Sequence, residues 1–222
     1  MTDLITRRNA LVKAGSLVAA LAAAGRWHFG GAGEAQAASV ACVLTPEMTE
    51  GPYYIAGEKL RRNITEGRPG APLTLKLKVV DASTCRPIKN AAVDIWHADA
   101  GGAYSGFGSG ASSRTFMRGI QKTDANGVAT FQTVYPGWYM GRTVHIHVKV
   151  HVGGDVVHTG QLFFADSVTD AVYRKTPYSN RPNRDVRNPQ DNIYLDGGSK
   201  SIVKIAKSGK GYTGTLTVGV RR

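Results

Sequence analysis

Tyr135-Pro-Gly-Trp-Tyr-Met-Gly-Arg-Thr-Val-His-Ile-His-Val-Lys-Val150 is the stretch from which both the fold and the chemistry of this chain can be read. In its second half Val144, Ile146 and Val148 alternate with His145 and His147, the period-two pattern of a strand with one apolar face. Successive strand side chains point to opposite faces. Both imidazoles therefore project from one side, one pleat apart, where a single metal ion can take both. Taken alone, a His-x-His on a strand is also the ordinary look of a partly exposed polar face. The lead-in favours the metal. Pro136-Gly137 is turn chemistry, and it delivers Tyr139 six positions before His145 and Arg142 three before it. A turn feeding this strand can bring all four side chains into one pocket.

Working outward, short apolar or alternating runs separated by turn residues dominate the chain, at residues 73–80, 91–98, 128–134, 143–152, 156–164 and 214–220. The pattern predicts an all-β chain folded as one domain, an immunoglobulin/prealbumin-like β-sandwich. Two joints are legible. Asp124-Ala-Asn-Gly127 is a turn, and Gly153-Gly154-Asp155 should reverse the chain so that the strand after the histidines pairs antiparallel with them. Helix signals are confined to a short piece around residues 167–173. Residues 180–190, rich in Arg, Asn and Pro, form a loop that is either ordered by contact or mobile.

Three other segments could join the histidines. Ala92-Val-Asp-Ile-Trp-His-Ala-Asp-Ala-Gly-Gly-Ala-Tyr104 is a strand ending in Trp96, then a glycine turn and a tyrosine. Tyr104 by itself is an ordinary loop tyrosine. Thr159-Gly-Gln161-Leu-Phe-Phe164 puts a glutamine 14 residues after His147, a separation that the Gly153-Gly154 hairpin could fold back over the site. Thr45-Pro-Glu-Met-Thr-Glu-Gly-Pro-Tyr53-Tyr54 reads equally as a pocket lining or as a packed N-terminal arm. His97 beside Trp96 reads as structural, and His151 and His158 read as surface or strand-face residues.

Together these residues resemble the intradiol ring-cleavage dioxygenases, the catechol and protocatechuate dioxygenase family, over about residues 45–165. The specific part is Pro136-Gly137-x-Tyr139 followed by Arg142-x-x-His145-x-His147, with Tyr104 upstream. The resemblance implies Fe(3+) held by Tyr104, Tyr139, His145 and His147. Two hard phenolates and two imidazoles suit ferric iron better than zinc. It further implies a small aromatic diol and O2 as partners. Catechol binds as a dianion in place of Tyr139, and the ring opens between its hydroxyl-bearing carbons to a muconate-type diacid. By the same resemblance Arg142 stabilises anionic substrate, Gln161 orients the adduct, and Tyr53 or Tyr54 lines the substrate pocket. One departure stands out. The family usually places a longer insertion between the tyrosine and the arginine, as expected to be missing from its shorter exported members.

Thr6-Arg7-Arg8-Asn9-Ala10-Leu11-Val12-Lys13 is a twin-arginine pattern, followed by an Ala- and Leu-rich run and Ala35-Gln36-Ala37 as a cleavage site. The apolar run is shorter than the roughly 20 residues of a membrane span. Residues 1–37 are therefore expected to be a signal peptide and residues 38–222 an exported domain, periplasmic or secreted, with no membrane span after cleavage. The formal net charge is +12. Removing Arg7, Arg8, Lys13, Arg26, Asp3 and Glu34 with the leader lowers it by two, to +10. The basic residues are scattered without a nucleic-acid motif, so the charge reads as solvated surface, the alternative being a surface that attracts acidic aromatic substrates or anionic polymers. Cys42 and Cys85 in an oxidising compartment form one disulfide or remain two buried thiols.

Two rival functions are weighed. Exported copper-zinc superoxide dismutases are β-sandwiches with a His-x-His strand, but their site takes six histidines, and residues 38–222 hold five. The other is a non-catalytic prealbumin-like binding module of the same descent. Presence of all four donors favours the enzyme. The sequence leaves the choice of diol and any homo-oligomer open.

Overall fold

Where apolar and polar residues alternate, the chain forms strands, and these build two facing sheets in the computed structural model, which describes residues 42–108 and 110–221. The strands are β1 (Pro72–Asp81), β2 (Ala92–Trp96), β3 (Arg118–Lys122), β4 (Val128–Val134), β5 (His145–Val152), β6 (Asp155–Phe163), β7 (Lys204–Ser208) and β8 (Gly211–Val220). One sheet runs β4-β1-β8-β7 and the other β3-β2-β5-β6. Leu73, Leu75, Leu77 and Val79 of β1 meet Val93, Ile95, Ile146, Val148 and Val150 between the sheets, all fully buried. This is the expected all-β sandwich, closed by removing one apolar face of each sheet from water. The expected signal peptide, residues 1–37, lies outside the described residues. Among those described, no helix is long and apolar enough to cross a membrane.

Two strands escaped the sequence pattern for a physical reason. β3 contributes Arg118 and Gly119 to buried positions and has Ile120 as its one large apolar residue. β7 is an edge strand, mostly exposed, with Lys204 and Lys207 on it. Lysine-bearing edges discourage pairing with another chain, and such strands do not alternate. The glycine hairpin forms as read: Gly153 and Gly154 take φ of +66° and +105°, Val152 faces Asp155, and Gln161 comes to lie opposite His147. The short helix is α1 (Asp166–Tyr173). Residues 180–190 are held by contact, Arg184 reaching Asp166 and Asp170 and Asp185 accepting from the Gly141 amide.

The second face of the β3-β2-β5-β6 sheet is also buried, which alternation alone does not foretell. An arm of about residues 45–64 crosses it, donating Met48 N to Thr159 O (2.9 Å), Arg61 N to Ile120 O (3.0 Å) and Ile64 N to Gln132 O (3.0 Å). Glu50 on the arm pairs with Lys149. His158, expected at the surface or on a strand face, lies on β6 and is buried, its Nδ1 3.1 Å from Glu47 Oε1 on the arm. His151, past a bulge after Val150, stays half-exposed.

Cys42 and Cys85 are joined in a disulfide across 43 residues, tying the start of the arm to the turn after β1. A loop of that length contributes on the order of 4 kcal/mol in the chain-entropy model. Replacing both cysteines with serine should lower the free energy of unfolding by up to that amount and make stability insensitive to reductant, measured by urea unfolding with and without dithiothreitol.

Candidate metal centre

Four rings from three parts of the chain converge on the outer face of the second sheet. β5 is paired on both sides, to β2 and to β6. Its alternation sends His145 and His147 outward, their Nε2 atoms 3.1 Å apart. The Pro136-Gly137 turn brings Tyr139 Oη to 3.1 Å from His145 Nε2. Tyr104, on the loop after β2, lies with its ring 5.5 Å from that of Tyr139 and 6.2 Å from that of His147. Gly137 makes the turn fit: a β-carbon there would sit 2.4 Å from Ala100 O and 2.5 Å from Asp99 O. The turn is thus pressed against the very loop that carries Tyr104.

The protonation states follow from burial and hydrogen bonding. His145 Nδ1 is 2.6 Å from the Thr143 carbonyl, which only accepts, so Nδ1 carries the proton and Nε2 a lone pair. Burial, followed by the Arg142 charge, pushes its pKa down to about 3. Burial and then His145 push His147 well below the usual histidine range. Both imidazoles are therefore neutral bases. Burial raises Tyr104 well above the ordinary phenol value, with Tyr139 the next cause, and it raises Tyr139 too, against the pull of Arg142. Tyr104 Oη and His147 Nδ1 are buried without a hydrogen-bond partner of normal geometry.

The His145 Nε2 lone pair beside the Nε2 of a second neutral imidazole, with neutral phenols next to them, fits a metal ion whose charge would remove the phenolic protons. The carbonyl behind His145 is the outer support that orients metal-bound imidazoles. Among the described residues no three His, Cys, Asp or Glu side chains cluster as metal ligands. A metal here depends on the tyrosines.

The remaining predicted residues divide. Arg142 donates Nη2 to Gln161 Oε1 (2.6 Å) and Nε to Asp191 Oδ2 (2.8 Å), and Gln161 Nε2 donates to Thr49 O (2.9 Å). Tyr53 stacks on Tyr104 at 4.3 Å and meets Tyr139 edge-on at 5.9 Å. Together with Phe107 these rings wall a cleft of about 380 Å³. Tyr54 goes elsewhere: its ring meets Trp96, Lys149 Nζ lies 3.7 Å from its centroid, and its hydroxyl faces Asp94. His97 is buried between Ala98 O and Thr133 Oγ1, each 2.8 Å away, and takes no part in the ring cluster.

Asp191 is the residue beside this candidate site that sequence reasoning missed. Its Oδ2 also accepts from Thr143 N (2.8 Å), and its Oδ1 caps α2 (Asn192–Leu195) through Ile193 N and Tyr194 N. An Asp directly before a short apolar run is an N-cap signal, but nothing local ties it to Arg142, 49 residues earlier. Trp96 was placed on its strand, but not seen to stack on His147 at 5.0 Å and 4°. Arg118, buried with its guanidinium 6.0 Å from the Tyr104 ring and bonded to Ser105 O, gave no signal at all.

The sandwich and this site define a β-protein with a tyrosine–histidine cluster on one outer face. A family model described as Dioxygenase matches residues 49–171, more than half of the chain. An intradiol ring-cleavage dioxygenase from Tetranychus urticae superposes with a TM-score of 0.78 at 39% identity, covering 81% of this chain and 95% of that one. The dioxygenase domain of a dioxygenase–carbohydrate-binding fusion from Streptomyces sp. SirexAA-E gives 0.63 at 31%, covering 81% and 99%. Catechol 1,2-dioxygenase 1 of Acinetobacter lwoffii is 34% identical over 101 residues, 43% of this chain and 32% of that protein. The chain belongs to the intradiol ring-cleavage dioxygenase family. Its match spans only about a third of the length of the Acinetobacter catechol dioxygenases.

Beneath Tyr54, Asp94 is 1% exposed and neither carboxylate oxygen has a partner of normal geometry. Burial and then Glu58 raise its pKa to about 7. A carboxyl raised in the folded state favours folding while protonated, so this contribution is present below the unfolded value near pH 4 and is lost as pH rises to 7. Asp94→Asn should therefore be more stable than the parent by roughly 1–3 kcal/mol at pH 8, with the gap closing toward pH 4, measured by denaturant unfolding across that range.

Proposed function

We propose that this protein is an exported iron enzyme that opens a catechol-type ring between its two hydroxyl-bearing carbons, giving a muconate-type diacid. The observation that carries the reading is the convergence of two neutral imidazole Nε2 atoms with two phenols, Tyr104 and Tyr139. Tyr104, Tyr139, His145 and His147 would hold Fe(3+), for which two phenolates and two imidazoles are an apt donor set. When bound, the ion supplies the electron withdrawal that leaves a ring carbon of the catecholate open to O2. The reaction balances without a reductant: both atoms of O2 enter the product, the carbon–carbon bond breaks, and each hydroxyl-bearing carbon becomes a carboxyl.

The residues divide the remaining work by burial. Tyr104 is 5% exposed and fixed under Tyr53, whereas Tyr139 is half-exposed. Tyr139 Oη is therefore the group that yields to substrate and takes up a catechol proton. Arg142, held in place through Nε by the Asp191 carboxylate, keeps its charge fixed beside Tyr139 and stabilises negative charge on the substrate. Gln161, tied at both ends of its amide, orients without titrating. The aromatic cleft of Tyr53, Phe107, Tyr104 and Tyr139 suits a flat diol. The twin-arginine pattern of residues 1–37 supports export of a folded, metal-loaded protein.

Purified protein loaded with ferric iron should show a broad visible phenolate-to-iron band that moves to longer wavelength with catechol under anaerobic conditions. Tyr104→Phe should lose most of that band and cut turnover by more than the roughly 10–100-fold typical of a supporting residue. Protein that stays colourless after ferric reconstitution would sink the dioxygenase reading and leave the binding module. Asp191→Asn can still cap α2, so it should keep fold and colour while kcat/KM drops about 10–100-fold.

A further inference from the structure

We propose that a second cleft, between α1 and the loop of residues 178–187, binds small organic carboxylates. Its volume is about 550 Å³ and its walls include Tyr173, Arg174, Tyr178, Arg181, Arg184 and Arg187. That is the size of an ordinary small-ligand pocket, roughly 300–1,000 Å³. It shares no lining residue with the tyrosine-walled cleft at the metal centre.

Ion pairing inside the protein accounts for only half of this charge. Arg184 is met by Asp166 (2.5 Å) and Asp170 (2.7 Å), and Arg187 by Asp170 (2.6 Å). These pairs hold the loop to α1. The Arg174 side chain is exposed and has no partner among the described residues, and the Arg181 guanidinium donates only to neutral acceptors, the carbonyls of Trp138 (2.8 Å) and Ala100 (3.4 Å). Four guanidinium groups thus face two carboxylates. The excess invites an anion, and planar guanidinium groups pair bidentately with carboxylates. Tyr173 and Tyr178, stacked at 5.1 Å and 12°, add an aromatic wall that suits an organic anion better than an inorganic one.

Arg181 connects this cleft to the metal centre. Its guanidinium lies 4.6 Å from the Trp138 ring centroid, and Trp138 immediately precedes Tyr139. Ala100, its other acceptor, is on the loop that leads to Tyr104. A carboxylate that draws on Arg181 is therefore felt by both tyrosine-bearing segments. Two sources share the chemistry. On the reading of the function given above, one is the ring-opened diacid, and the other is an aromatic acid.

The test is a titration of the purified protein, with and without iron, using cis,cis-muconate, benzoate and, at matched ionic strength, sulfate. Tryptophan fluorescence and calorimetry are the readouts, so the outcome stands apart from turnover. The proposal requires a saturable response to a carboxylate that Arg174→Glu weakens tenfold or more, about 1.4 kcal/mol. Trp138→Phe should abolish the optical change while preserving the heat. Tighter muconate assigns the cleft to product, and tighter benzoate to aromatic acids. Equal binding of sulfate, an undiminished response in Arg174→Glu, or no response overturns the proposal. Because the titration is also run without iron, it can fail while the dioxygenase reading holds, and the reverse.

Discussion

Strand β5 is hydrogen-bonded along both edges, and that double pairing is the constraint on which the site rests. Alternation alone places His145 and His147 on one face. Only a strand clamped between β2 and β6 keeps their Nε2 atoms 3.1 Å apart without letting either ring swing to water. The neighbours finish the job, Trp96 from β2 stacking flat on His147 and Gln161 from β6 standing opposite it. Loss of either pairing would cost the sheet its centre and the imidazoles their common direction.

Burial then sets the electrostatics. The face that bears the histidines would be a solvated polar face if the arm did not cross it. Covered, it holds the imidazoles neutral and the phenols protonated. Such a site is poor at holding loose protons and good at accepting a multivalent cation, since that charge overrides the cost of forming buried phenolates. The same covering leaves Asp94 without a good partner. The polar groups under the arm therefore trade some stability for a dry, ordered surface around the rings.

Two acidic residues far along the chain fix the geometry of basic ones. Asp191 joins Arg142 and the Thr143 amide through one carboxylate oxygen while its other oxygen caps α2, so the N-cap of α2 orients the cation beside Tyr139. Asp170 on α1 likewise pins Arg184 and Arg187, which draws the 180–190 loop into a cleft wall. Arg181 in that loop reaches back to Trp138 and Ala100. The two tyrosine segments are thus braced from outside the sheets.

Local pattern determined a good deal. Period two gave the strands that carry a core face, the Gly153-Gly154 pair gave the hairpin, and Pro136-Gly137 with Tyr139, Arg142, His145 and His147 gave the heart of the site, because strand direction and turn chemistry are properties of a few adjacent residues. Strands without alternation, β3 and β7, were not legible. Nor were the burial of His158, the bond from Asp191 to Arg142, or the split between Tyr53 at the ring cluster and Tyr54 at Trp96 and Asp94. Each of these is set by segments tens of residues apart that meet only when the sheets close and the arm lies across them. Sequence fixes which side chains a strand presents, but what covers them, and so which are charged, paired or open to a ligand, is decided by the tertiary fold.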